Sequence, residues 1–340
     1  MRAVFRKNSL FGPVDPAEEA GYEAPPPRKG FFTDTSICIG CKACEVACKE
    51  WNGVPDDGFD LLGMSYDNTG SLNANTWRHV AFIEQHGRGA PPTRRAPPPV
   101  DPPTRGAPPP VDPPVMGDGA GVARETESRD RAAAPVDLGM PLLGEKPDFR
   151  WLMSSDVCKH CTHAACLDVC PTGSLFRSEF GTVVVQDDIC NGCGYCVAAC
   201  PYGVIDRRQG PDGAKNVGIA QKCTLCYDRL RDDQRPACAQ ACPTESIQFG
   251  DVVELRERAQ QRVDRLHEAG VMDARLYGND PEDGVGGTGA FFLLLDEPEV
   301  YGFPPDPVVT TKDLPQMFNR ATAAAGALLA AAVVSFLGRR

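Results

Sequence analysis

Sixteen cysteines fall into four groups with none left over: Cys38, Cys41, Cys44, Cys48; Cys158, Cys161, Cys166, Cys170; Cys190, Cys193, Cys196, Cys200; and Cys223, Cys226, Cys238, Cys242. Each group opens with a C-x2-C pair, adds a third cysteine, and closes on a fourth, four positions after the third. Thiols at this spacing demand tight loops. A chain that also carries 34 glycines and 32 prolines depends on what those thiols hold to make up for missing hydrophobic core.

Disulfides, zinc and iron-sulfur clusters compete for such groups. The opening MRAVFRKNSLFGPVDP lacks the apolar run of a secretory signal, so neither an oxidising history nor a disulfide framework is expected. Structural zinc sites usually pair two C-x2-C hooks across a longer gap and often recruit histidine. The run C-x2-C-x2-C-x3-C-P is instead the ferredoxin pattern, in which thiolates bind a 4Fe-4S cube and the fourth cysteine serves the neighbouring cube. The third group, CNGCGYCVAACP, fits it letter for letter.

That pattern predicts a division of labour. The first three cysteines of a group sit on a loop around one cube, with Gly40, Gly192 and Gly194 allowing backbone to approach sulfur. The fourth stands on the helix that follows, and a proline after Cys170, Cys200 and Cys242 takes each of those residues out of helical geometry. Cys48 is followed by Lys49 instead. The second and third groups lie close together and are expected to exchange fourth ligands, which leaves the first and fourth to pair across the long gap. The expected sets are Cys38, Cys41, Cys44 with Cys242; Cys158, Cys161, Cys166 with Cys200; Cys190, Cys193, Cys196 with Cys170; and Cys223, Cys226, Cys238 with Cys48. Four 4Fe-4S clusters are the expected cofactors.

Neighbouring residues take lesser roles. His160 and His163 flank Cys161 and are read as packing or hydrogen-bonding neighbours rather than ligands. Lys42, Lys49, Lys159 and Lys222 adjoin cysteines and read as exposed groups, with a part in raising cluster potentials as the alternative. Trp51, Trp77 and Trp151 read as packing residues. There is no G-x-S-x-G elbow, phosphate-binding glycine loop or H-E-x-x-H helix, so no catalytic residue is expected, and GVGGTG at 284–289 reads as a turn. A formal charge of -11 would repel a phosphate backbone, which argues against nucleic acid as a partner.

The fold class expected is α+β: two ferredoxin-like double-cluster modules with loop-rich insertions and a C-terminal transmembrane helix. The expected divisions are an N-terminal arm, 1–30; the first cysteine group, 31–87, in a module completed by the fourth; a Pro-rich linker, 88–147; and a module with the second and third groups, 148–213. The fourth group and a helix and strand region follow at 214–315, then a membrane anchor at 316–340. Within the linker TRRAPPPVDPP is repeated at once as TRGAPPPVDPP, and proline at that density neither pairs in sheets nor continues helices. GTVVVQ at 181–186, SIQFG at 246–250 and GAFFLLLD at 289–296 predict strands. VVELRERAQQRVDRLHEAG sets Val252, Leu255, Ala259, Val263 and Leu266 at helical spacing and ends in Gly270.

From Ala321 to Leu337 the chain is uncharged. As a helix this stretch rises about 26 Å, slightly short of a hydrocarbon core, so it reads as a marginal span that packs on a partner helix through small residues, with a buried helix as the alternative. Arg339 and Arg340 after it outnumber Arg320 before it, which predicts a cytoplasmic C-terminus and a cluster domain on the outer face.

With these residues in view, the chain resembles the iron-sulfur (beta) subunit of membrane-bound respiratory formate dehydrogenase, within the four-cluster electron-transfer subunits of molybdopterin oxidoreductases. The resemblance rests on CIGCKACEVACKEWN, CGYCVAACPYG, KCTLCYDR with PACAQACPT, and LYGNDPEDGVGGTGAFFLLLDEPEVYGFPPDP, and covers about residues 30–86 and 148–337. It implies a subunit with no active site of its own. A molybdenum or tungsten pterin subunit would oxidise formate, and electrons would cross the clusters in the order first, fourth, second, third to a membrane cytochrome b and quinone. A sister subunit serving a sulfoxide, polysulfide or nitrate enzyme, a free-standing polyferredoxin and a structural zinc module are the competing readings.

Overall fold

The computed structural model describes residues 16, 20–56, 66, 67, 69–86, 149–210 and 215–337. The expected linker, 88–147, nearly all of the expected arm before residue 20, and Arg339 and Arg340 lie outside the described residues.

In chain order, β1 (Lys29–Asp34) leads through a 3-10 turn (Thr35–Ile37) to the first cysteine loop and α1 (Ala43–Asn52). The long strands β2 (Arg78–His86) and β3 (Phe149–Val157) follow, then α2 (Ala165–Asp168), β4 (Leu175–Arg177), β5 (Val183–Val185) and α3 (Tyr195–Ala199). Next come β6 (Asp206–Arg207), β7 (Ala220–Gln221), α4 (Tyr227–Arg231) and α5 (Ala237–Gln240). The chain ends through β8 (Ile247–Asp251), α6 (Val252–Glu268), β9 (Arg275–Tyr277), β10 (Ala290–Leu294) and α7 (Leu314–Leu337).

The main sheet has the order β8-β1-β10-β9. Its inner strand β10, AFFLL, is buried at every position, as an apolar run covered on both faces should be. Side chains alternate across a strand, so Phe291 and Leu293 join Phe32 against Val252, Leu255, Ala259 and Val263 of α6. Phe292 and Leu294 face the other way, into Tyr277, Tyr301, Phe303 and the hairpin residues Ala81, Ile83 and Leu152. Stacking of Phe32 on Phe291 at 5.5 Å between ring centres marks the first face. Burying each such phenylalanine contributes about 1.5–3 kcal/mol.

This sheet also bears on which cysteine groups lie near each other. β1 runs directly into the first group, and β8 begins soon after the fourth. Their antiparallel register, Phe31 to Phe249 and Thr33 to Ile247, draws the two groups together across two hundred residues of sequence. In consequence α1 packs on α5, while α2 packs on α3. The four helices that carry the third cysteines therefore form two pairs, one per half of the cysteine framework.

β2 and β3 pair over their full length, from Arg78 opposite Val157 to His86 opposite Phe149. The residues on either side of 87–148, His86 and Phe149, are therefore paired with each other. Deleting residues 90–140 leaves about eleven residues to close this hairpin, an ordinary loop length. The deletion is expected to leave iron content unchanged; a fall in iron measured on the purified complex would contradict this, and loss of a partner subunit would make the segment a docking element.

α7 is longer than the uncharged stretch alone suggests. It starts at Leu314, and Met317–Leu337 is a 21-residue stretch long and apolar enough to cross a membrane. It rises about 31 Å, the thickness of a hydrocarbon core, so the span is not short. It is not buried in the domain either, which removes the buried-helix alternative. Its hydroxyls bond back along the helix, Thr322 Oγ1 to the Phe318 carbonyl and Ser335 Oγ to the Ala331 carbonyl, both at 2.9 Å.

Candidate metal centre

All sixteen cysteines are free thiols. One cavity is lined by Cys38, Cys41, Cys44 and Cys242, together with Ile39, Val80 and Ile247. A second is lined by Cys158, Cys161, Cys166 and Cys200, with Pro201 and Ile205. Around Cys48 the neighbouring thiols are Cys223, Cys238 and Cys226. Around Cys196 they are Cys190, Cys193 and Cys170. Among the described residues no three His, Cys, Asp or Glu side chains converge as they would on a single ion. Four thiols to a set with no histidine among them is a donor set suited to a polynuclear cluster.

The four sets also influence one another electrostatically in succession. Cys44 of the first set has Cys238 of the fourth as a neighbour. Cys223 of the fourth feels Cys158 of the second, and Cys166 of the second feels Cys196 of the third.

Local sequence explains how the loops form, with two corrections. The third cysteine of each group lies in a helix rather than on the loop: Cys44 in α1, Cys166 in α2, Cys196 in α3 and Cys238 in α5. Left-handed residues, Lys42 at φ 60° and Gly194 at φ 80°, start α1 and α3 just before it. Cys200 caps α3 in an extended conformation, as a residue before proline should, whereas α1 runs past Cys48 to Asn52 because no proline stops it. The glycines answer to protein packing: a Cβ on Gly40 (φ +65°) would lie 2.6 Å from Phe82, and one on Gly192 (φ +69°) 2.4 Å from the Gly218 carbonyl oxygen.

Burial pushes the Cys44 and Cys166 thiols up to about 12 and the Cys226 thiol up to about 11. Such thiols stay protonated until iron displaces the proton. Cys170 goes the other way: it is little buried, and hydrogen bonds from Ser174, Leu175 and Thr172 outweigh that burial and bring it down to about 7.

The flanking lysines are not exposed. Lys159 and Lys222 are both buried; Lys159 pairs with Asp156 and packs over Phe303, whereas Lys222 lines the second cavity and donates to the Cys223 carbonyl at 2.8 Å. Lys42 and Lys49 are half-buried, the first paired with Glu45 and Asp67, the second donating to the Asn75 carbonyl at 2.8 Å. His160 also lines the second cavity. Its Nδ1 accepts from the Val183 amide at 3.1 Å and burial pushes its pKa well below the usual value, so a neutral ring carries its proton on Nε2, which has no protein partner. A sulfur-rich cluster supplies acceptors for such a donor. Trp51 donates to Asp228 at 2.8 Å beneath the Arg229 guanidinium, and Trp77 to the Ala74 carbonyl at 3.0 Å.

Three residues at the site were not legible in the sequence. Asn52 Nδ2 lies 3.8 Å from Cys48 Sγ and 3.9 Å from Cys226 Sγ; its i,i+4 spacing from Cys48 is the signal that could have found it. Arg78 and Ser155, from β2 and β3, stand behind Cys44, with Ser155 Oγ 3.2 Å from its sulfur. Nothing near them in sequence points to cysteine.

Sixteen free thiols in four groups, two of them lining cavities, fit an electron-transfer subunit of the iron-sulfur class. Two models described as 4Fe-4S dicluster domain match, over residues 37–174 and 149–252. They follow chain order, whereas the β1 to β8 pairing joins the first group to the fourth. The chain is 31% identical over 312 residues to the iron-sulfur subunit of nitrate-inducible formate dehydrogenase of Escherichia coli strain K12, covering 91% of this chain and 82% of that one. Identity to the formate dehydrogenase iron-sulfur subunit of Haemophilus influenzae is 34% over 281 residues, covering 81% and 68%. The B subunit of anaerobic dimethyl sulfoxide reductase of Escherichia coli matches at 28% over 230 residues, covering 67% and 76%. The chain belongs to the family of formate dehydrogenase iron-sulfur subunits. It is a non-catalytic, electron-carrying component of an oxidoreductase complex.

Proposed function

We propose that the chain carries four 4Fe-4S clusters and conducts electrons from a molybdenum or tungsten formate-oxidising subunit to a membrane cytochrome b and quinone. Cys38, Cys41, Cys44 and Cys242 hold the first cluster; Cys158, Cys161, Cys166 and Cys200 the second. Cys190, Cys193, Cys196 and Cys170 hold the third; Cys223, Cys226, Cys238 and Cys48 the fourth. When bound, the clusters supply one-electron carriers, and the protein's part is to space, bury and charge them.

The observation that supports this reading is the succession of electrostatically linked thiols, first to fourth to second to third, which is the order of a wire with two ends. Formate is favoured over a sulfoxide as the donor's substrate because likeness to the formate dehydrogenase subunits extends further along the chain. The modules are then 31–87 with 214–315, and 148–213. The segment 316–340 is the membrane anchor, with the C-terminus cytoplasmic and the clusters on the outer face. In the complex purified anaerobically in oxidised form, formate should reduce the clusters and low-temperature EPR should report it. Clusters that remain oxidised with formate yet are reduced by dithionite would reject formate as the electron source.

A further inference from the structure

Arg78 is 1% exposed, and its guanidinium lies 4.8 Å over the ring of Phe31. Nη1 donates to the Ser155 carbonyl at 3.3 Å and to Ser155 Oγ at 3.0 Å, and Ser155 Oγ in turn meets Cys44 Sγ. Nε and Nη2 have no hydrogen-bond partner. Among the described residues no carboxylate pairs with this cation; its electrostatic neighbours are the thiols of Cys238, Cys44, Cys223 and Cys48. One of these belongs to the first set and three to the fourth. A buried guanidinium with two idle donors and no counter-ion is costly, and a fold retains one where an anion compensates it.

We propose that Arg78 is the shared counter-cation of the first and fourth clusters, bonding toward their thiolate sulfurs and holding both reduction potentials up. The inference rests on the reading that these two sets bind cubes. A cube with four thiolates is an anion, and accepting one electron makes it more negative by one charge. A fixed positive charge in a dry site therefore stabilises the reduced form more than the oxidised form. Standing between two clusters, the cation couples them as well: reduction of one takes up part of the attraction offered to the other. Arg78 is a positioning and charge-setting residue that leaves iron ligation to the thiols.

The test is an EPR redox titration of the intact complex with Arg78→Gln, Arg78→Lys and Arg78→Met, alongside iron content. The signals of the first and fourth clusters are assigned beforehand by their loss in Cys41→Ala and Cys226→Ala. At the native midpoint of each, Arg78→Gln should lower the ratio of reduced to oxidised cluster about tenfold, equivalent to 59 mV for a one-electron couple. The second and third clusters should keep their native ratios, and Arg78→Lys should restore most of the loss. Unchanged ratios in Arg78→Gln at native iron content, or equal shifts in all four clusters, would overturn the proposal. If Arg78→Gln sheds iron from these two sets, retention in Arg78→Lys with loss in Arg78→Met supports the role of charge. Retention in Arg78→Met at native potentials, or loss in Arg78→Lys, overturns it. A native complex lacking one of the two clusters would instead refute the reading beneath the inference.

Discussion

Cys48→Ala is expected to abolish the cluster of the fourth group and to leave that of the first, although Cys48 stands four residues from Cys44. The thiol is buried, and its neighbours are Cys223, Cys238 and Cys226, not Cys38 or Cys41. Asn52 reaches the sulfurs of Cys48 and Cys226 alike, so both belong to one sulfur shell. The truncation itself opens a small void worth about 1 kcal/mol, minor beside the loss of a ligand whose bond to iron helps to hold the fold. Iron content should fall by about a quarter, or by less if a three-iron cluster survives. Low-temperature EPR of the variant should match that of Cys226→Ala. A match to Cys41→Ala would show that the fourth cysteine serves its own loop.

A chain ending at Asp313 is expected to leave the membrane fraction almost entirely while keeping its iron. α7 begins at the next residue, and its large side chains contact no core: Leu328 is 72% exposed and Phe336 76%. The segment just before it does belong to the domain. Thr311 Oγ1 donates to Asp168 at 2.6 Å and Lys312 Nζ to the Asp283 carbonyl at 3.0 Å, so cutting earlier would disturb the second group's surroundings. A free apolar helix of 21 residues matches the bilayer core, and its run of small residues around Ala323 to Ala325 lets a neighbouring helix approach closely. Fractionation and iron analysis measure the outcome. Sedimentation of the shortened chain with membranes stripped of its partners would place the attachment elsewhere, and loss of iron would make the helix part of the cluster domain.

Features that depend on neighbours along the chain are legible in the sequence itself. The cysteine spacing, the helix carrying Val252, Leu255, Ala259 and Val263, and the buried strand at Ala290–Leu294 each follow from a local period. The meeting of the first group with the fourth is legible too, though only by elimination, because the β1 to β8 register that produces it has no local signature. Arg78 stays hidden for the same reason. It lies thirty residues beyond Cys48, in a strand whose partner comes after the proline-rich segment, and only that pairing sets it beside Ser155 and Cys44. Lys159 and Lys222 mislead because a charged residue next to a loop cysteine ordinarily faces water; here Asp156, backbone carbonyls and aromatic faces take over from solvent.

Iron and cluster type, measured together on anaerobically purified complex, bear most directly on the central claim that sixteen thiols hold four cubes. About sixteen irons are expected in this chain, after allowance for any cluster of the catalytic partner, with reduced-state EPR of four interacting 4Fe-4S clusters. About twelve irons or fewer, or a three-iron signal in the intact oxidised complex, would contradict it.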